Sequence, residues 1–157
     1  MPQLWKAIRS FFAETAPDGA PNGGSSTSLV ALLKSGSDRD LLAGVAARDK
    51  LNIHFVETCA DAWSTANRLN SAVILCERDI PGIEWQDEVR MLASASPHPC
   101  VILVSRVVDD YLWKETVARG GYDVLATPLR DDDVTRSIRL ALSYWKNTSR
   151  HASAIRR

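Results

Sequence analysis

The sequence predicts an α/β domain: a doubly wound, five-stranded parallel sheet covered by helices on both faces, with an extra N-terminal amphipathic helix. Two observations predict the sheet. Five short apolar runs recur along the chain, each followed by a stretch with helical spacing, and strands of that kind are buried on both faces of a parallel sheet. Right-handed crossovers then leave a sandwich with helices on either side. A third observation sets the boundary: a Gly-, Pro- and Ser-rich stretch separates an apolar N-terminal segment from everything that follows.

Each element follows in order. Leu4, Ile8, Phe11 and Phe12 recur at helical spacing, with Lys6, Arg9 and Ser10 elsewhere on the wheel, so residues 1–15 read as a short amphipathic helix. Residues 16–27, with Pro17, Gly19, Pro21, Gly23 and Gly24, cannot bury enough surface to offset their ordering entropy and read as a flexible linker. The domain proper spans residues 28–146, and residues 147–157 form a solvated tail. Leu29 to Leu33 is the first strand, and Ser35-Gly36-Ser37 is a turn with a capping serine before a helix carrying Leu41, Leu42, Val45 and Ala46. Ile53, Phe55 and Val56 form the second strand, followed by a helix with Ala62, Trp63, Ala66 and Leu69 inward. Ala72 to Cys76 is the third strand, and Pro81-Gly82 leads to a helix with Ile83, Val89 and Leu92. Cys100 to Val104 is the fourth. The next helix begins at Asp109, sets Tyr111, Leu112 and Ala118 on one stripe and ends at Gly120-Gly121. Tyr122 to Ala126 is the fifth strand. Val134, Ile138, Ala141, Leu142 and Trp145 line the last helix.

Composition narrows the function. With 157 residues, 45% hydrophobic and 24% charged, the chain has the make-up of a soluble domain with a core. A formal net charge of zero gives no global pull toward nucleic acid or acidic membrane. No apolar run approaches the roughly 18 residues of a membrane span, and the start lacks the pattern of a secretory signal. Cys59, Cys76 and Cys100 have no metal-type spacing, so they read as reduced thiols in a cytoplasmic protein.

In doubly wound sheets the working site lies beyond the carboxyl ends of the strands. Here those ends carry Lys34, Ser35, Glu77, Arg78, Ser105 and Thr127. The Ile80-Pro81-Gly82 turn after strand three, Ser105 after strand four, Gly120 before strand five and Thr127-Pro128-Leu129 after it together resemble the response-regulator receiver (CheY-like) family, whose fold is flavodoxin-like. The resemblance covers about Ser28 to Trp145.

It implies an acidic pair after strand one for Mg²⁺, a phosphate-accepting aspartate after strand three, a hydroxyl after strand four, a lysine before the proline after strand five and a switch aromatic within that strand. At those positions this chain has Lys34-Ser35, Glu77, Ser105, Thr127 and Val124. Only Ser105 fits the pattern. Phosphoryl transfer requires charge neutralisation and in-line positioning; one extra methylene moves a carboxylate by about 1.5 Å, and ~1 Å of misplacement can cost ~100-fold in rate. Without strand-one acids the metal loses its anchors, so no Mg²⁺ or other cofactor is expected. Lys34 is the candidate to take the metal's place and pair with Glu77, with Arg78 as another candidate, against the plainer reading of Glu77 as a solvated strand-end carboxylate. Asp79 is the rival acceptor, since a two-residue shift of strand three keeps its facing.

Other constellations have plainer readings. Asp131-Asp132-Asp133 and Asp109-Asp110 suit helix first turns. His54, His98 and His151 have no ligand spacing, and neither a nucleophile elbow nor a Gly-rich phosphate loop is present. Trp113 falls beside its helix stripe and, with Tyr122, marks the face receivers use for partners, or else is half-buried packing. The N-terminal helix has three open readings: docking on the domain, joining a second copy in a homodimer, or lying on a membrane. The basic tail (Lys146, Arg150, Arg156, Arg157) reads as solvated, without a nucleic-acid role.

The expectation is therefore a non-enzymatic pseudo-receiver of bacterial two-component or phosphorelay signalling. It acts by contact with a protein such as a histidine kinase. The alternatives are an active receiver with an altered acceptor (Glu77 or Asp79) and a flavodoxin-like small-ligand binder.

Overall fold

The computed structural model describes residues 27–155, with side chains described for residues 27–148. The N-terminal helix and all but the last residue of the linker lie outside the described residues. Strands and helices alternate as β1 (Ser28–Leu32), α1 (Gly36–Arg48), β2 (Asn52–Phe55), α2 (Cys59–Leu69), β3 (Val73–Glu77), α3 (Trp85–Ala93), β4 (Cys100–Ser105), α4 (Asp110–Ala118), β5 (Asp123–Ala126) and α5 (Asp131–Ile155). All strand pairs are parallel, in the order β2-β1-β3-β4-β5. Strand order therefore reverses between β1 and β3, which opens a crevice at their carboxyl ends.

Side-chain alternation along the strands feeds two core layers. Leu29, Ala31, Val73, Leu75, Ile102, Val104 and Leu125 pack with Leu42 and Val45 of α1 and Val134, Ile138 and Ala141 of α5. On the other side, Val30, Leu32, Ile74, Cys76, Val101, Leu103 and Val124 pack with Cys59, Ala62 and Ala66 of α2, Trp85, Val89 and Leu92 of α3, and Leu112 of α4. The central strands are buried along almost their whole length, and each such Val, Leu or Ile contributes about 1.5–3 kcal/mol by leaving water.

Local chemistry fixes the helix starts. Ser35, Thr58 and Asp109 cap α1, α2 and α4, each accepting a backbone N–H three residues on; such caps are worth about 1 kcal/mol. Gly82 and Gly120 take φ of +90° and +94°, where a side chain is strained. Gly121 is constrained by space: a Cβ there would lie 2.5 Å from Thr116 Cγ2 and 2.9 Å from the Thr116 carbonyl.

Three readings of the sequence need correction. Trp63 is 40% exposed, because α2 turns Cys59, Ala62 and Ala66 to the core instead. Tyr111 is 66% exposed and Ala118 is exposed too, since α4 buries Leu112 and Thr116 instead. Ile83 precedes α3 and packs partly buried from the turn. The last helix, α5, runs unbroken past residue 146 to Ile155.

Candidate functional site

The crevice is built from β1 and β3 and the loops that leave them. Glu77 closes β3 opposite Val104 of β4, so the period-two pleat directs its side chain into the crevice. There Glu77 Oε1 accepts the backbone N–H of Lys34 at 2.7 Å and of Ser35 at 3.4 Å. These amides precede α1, and Ser35 also caps that helix. The carboxylate is thus held by backbone donors of the neighbouring loop, a charge-assisted arrangement.

Lys34 behaves differently from the expectation. Its ammonium donates to the Asp79 carbonyl at 3.2 Å, and among the described residues no ion pair joins it to Glu77 or any other carboxylate. Lys34 reaches Glu77 through its backbone amide alone, so the expected side-chain pairing is replaced by a backbone one. Arg78 does not take that role either: its guanidinium lies 5.8 Å from the centre of the Trp85 ring, within cation–π range. Asp79 is exposed on the turn beyond the strand end. That position agrees with a spacing fixed by Pro81-Gly82 and not with a shifted strand.

The site also holds a concealed carboxylate, on the first turn of α1. Asp38 is 3% exposed. It accepts the Thr127 hydroxyl at 2.5 Å and the Leu129 amide at 2.9 Å, which ties α1 to the loop after β5. Ser-x-x-Asp at positions 35–38 is a capping pattern, and Ser35 does cap the helix. Nothing local to that pattern signals that the aspartate side chain crosses 89 positions of sequence.

Ser105, at the end of β4, is 3% exposed. Its hydroxyl donates to the Val107 carbonyl at 2.8 Å and accepts the Val107 amide at 3.3 Å, so it closes a local turn. Val124 is buried in the second core layer, and its amide is held by Asp123 Oδ1 at 2.8 Å. The structure thus gathers Lys34, Ser35, Glu77 and the Asp79 backbone in one crevice, with Thr127 engaged by Asp38. Trp113 packs half-buried against the α2–α4 layer, and Tyr122 against the α1–α5 layer, 5.4 Å from Tyr144.

The contacts in the crevice compete with a divalent cation for carboxylate oxygens. Mg²⁺ is held through one or two carboxylates with waters around an octahedron. In this crevice Glu77 Oε1 is engaged by two amides, Asp38 by Thr127 and Leu129, and the Lys34 ammonium bridges the two loops. Among the described residues no group of three or more His, Cys, Asp or Glu is arranged to hold a metal. The cysteines are free and buried; burial, with the Glu88 charge, pushes the Cys59 thiol up to about 11 and Cys76 higher than its usual range, which favours the thiol over the thiolate.

Comparison with solved structures places this fold among receiver domains. The signal receiver domain of a putative LuxO repressor protein from Vibrio parahaemolyticus superposes with a TM-score of 0.71 at 20% identity, covering 80% of this chain and 96% of that one. A response regulator from Thermotoga maritima gives 0.68 at 18% identity, over 76% and 99% of the two chains. A CheY-like receiver domain protein from Methanospirillum hungatei JF-1 gives 0.69 at 11% identity, over 79% and 99%. No protein-family model matches the chain, and no curated protein matches it. The fold is that of the response-regulator receiver, the CheY-like form of the flavodoxin fold. At these identities the likeness is one of fold alone.

No helix among the described residues is long and apolar enough to cross a membrane.

Proposed function

We propose that this chain is a receiver-like signalling module of the bacterial two-component or phosphorelay type that acts through protein contacts, without aspartyl phosphorylation, enzymatic turnover or bound Mg²⁺. Its partners on this reading are signalling proteins, a histidine kinase among them, met in the cytoplasm.

One observation carries the proposal: the Glu77 carboxylate, at the acceptor position, is engaged by the Lys34 and Ser35 amides, while the Lys34 ammonium closes the crevice onto the Asp79 carbonyl. An acceptor oxygen must approach phosphorus in line with its charge neutralised by a metal or cation. Glu77 Oε1 is instead spent on backbone donors. The Asp38–Thr127–Leu129 contacts support the same reading, because they hold the loop after β5 to α1 with no phosphate required. A crevice whose groups satisfy one another keeps one arrangement, and a fixed surface is what a constitutive binding partner needs.

Acetyl phosphate with Mg²⁺, followed by intact-mass measurement, tests this. The expected spectrum contains only the unmodified chain. A stable phosphorylated species mapping to Glu77 or Asp79 overturns the proposal in favour of a working receiver with an altered acceptor.

A further inference from the structure

Beneath α3 lies a carboxyl that the crevice does not use. Glu88 is wholly buried (0% exposed), and neither of its side-chain oxygens has a hydrogen-bond partner of good geometry among the described residues. The polar group against it is the Cys76 thiol of β3, a weak donor. One helical turn earlier sits Trp85, the first residue of α3. The guanidinium groups of Arg78 and Arg119 lie 5.8 Å and 5.9 Å from the centre of its ring, and the Nε of each is buried without a partner. Arg119 also pairs with Glu115 of α4 at 2.5 Å; Arg78 has no carboxylate partner among the described residues. Unmatched acid oxygens and unmatched guanidinium N–H groups therefore flank the same first turn of one helix. Buried polar atoms left this way are costly, about 1–3 kcal/mol each.

Positions three apart on a helix are neighbours, about 5–6 Å between Cβ atoms. Glu88 therefore sits one helical turn from the two guanidinium groups gathered at Trp85. We propose that Glu88 is a proton-operated catch on α3: protonated, it stays under the helix against Cys76, and ionised, it moves out with the first turn of α3 to pair with Arg78 and Arg119. The charges around it favour the inward acid and the outward anion. Glu77 at the end of β3 and Asp79 on the following turn repel an anion in the buried position. From α2 the facing titratable group is the Cys59 thiol, and from α4 it is the Arg119–Glu115 pair. The buried residues that β4 turns toward this layer, Val101 and Leu103, carry no charge. Burial, eased by the Cys76 thiol and reinforced by Glu77 and Asp79, holds the Glu88 carboxyl up at about 8, so the catch operates close to physiological pH. It links proton concentration to the position of the helix that follows the acceptor strand.

The test is carboxyl and backbone-amide NMR of the full chain, labelled at glutamate and in the backbone, from about pH 6 to about pH 9. The expected result is one glutamate carboxyl titrating near the upper end of that range together with the amides of Trp85 to Ala93. Both changes vanish in Glu88→Gln, or in Glu88→Met if the amide variant does not fold. In the Arg78→Gln/Arg119→Gln pair the carboxyl titrates about one pH unit higher, as loss of a cationic partner requires, and the amide response falls by half or more. A Glu88 carboxyl that titrates while the α3 amides stay still overturns the catch, as does an unchanged titration in the double arginine variant.

Discussion

The crevice between β1 and β3 and the underside of α3 lie eleven positions apart in sequence, from Glu77 to Glu88, and treat their polar groups in opposite ways. In the crevice the main groups are partnered: Glu77 Oε1 with the loop amides, Lys34 with a carbonyl, Asp38 with a hydroxyl and an amide. Under α3, Glu88 and the two arginine Nε atoms are left unmatched. A matched site is rigid and chemically quiet, whereas an unmatched one has a second arrangement available to it.

The sharpest break of the contrast is Asp38→Ala. It strips the Leu129 amide and the Thr127 hydroxyl of their acceptor, and unmatched buried donors should cost about 2–4 kcal/mol. Urea unfolding measures this; a loss below about 1 kcal/mol would mean that the latch between α1 and the β5–α5 loop is incidental. Gly121→Ala provides a scale for pure packing. Its Cβ meets Thr116 side chain and backbone, and the expected loss is about 1–3 kcal/mol, read from the same transition.

The pH dependence of stability sharpens the other half of the comparison. Glu88 titrates at about 8 when folded and near 4.3 when unfolded. Between those values the folded chain holds a proton that the unfolded chain has released. Stability from this group therefore falls as pH rises from the ordinary carboxyl range to about 8 and levels off above it. Glu88→Met should flatten that decline, raising stability by about 1–3 kcal/mol more at pH 8 than at pH 5. Parallel pH profiles for the two proteins would show that Glu88 does not carry it. The smallest expected effect is Lys34→Met. It removes one exposed contact to a carbonyl and should change stability by less than about 0.5 kcal/mol, because Glu77 keeps both of its amides.

Much of this architecture was legible in the chain itself. Apolar runs bounded by turns gave all five strands to within a residue or so, because a buried parallel strand is a local, continuous signal. Ser105 and Glu77 were placed correctly at strand ends for the same reason, and Ser35 was read as a cap. What escaped was set by tertiary contact. Asp38 looks like any first-turn acid until the β5–α5 loop arrives beside it. Glu88 follows Asp87 in a charged stretch and gives no sign that it faces inward beside Val89 and Leu92. Trp63 and Tyr111 were assigned to the core by their apolar character, but small neighbours or better-placed ones took the space. Lys34 meets Glu77 through its amide and not through the ammonium that the sequence reading named, because sequence cannot distinguish the two donors.

The central claim is that the crevice is filled by its own groups. Backbone-amide NMR during a Mg²⁺ titration tests it most directly. If the Glu77 carboxylate is held by Lys34 and Ser35 as described, the amide resonances of these three residues remain in place as the ion is added to millimolar excess. A saturable shift at Lys34, Ser35 and Glu77 would contradict the account.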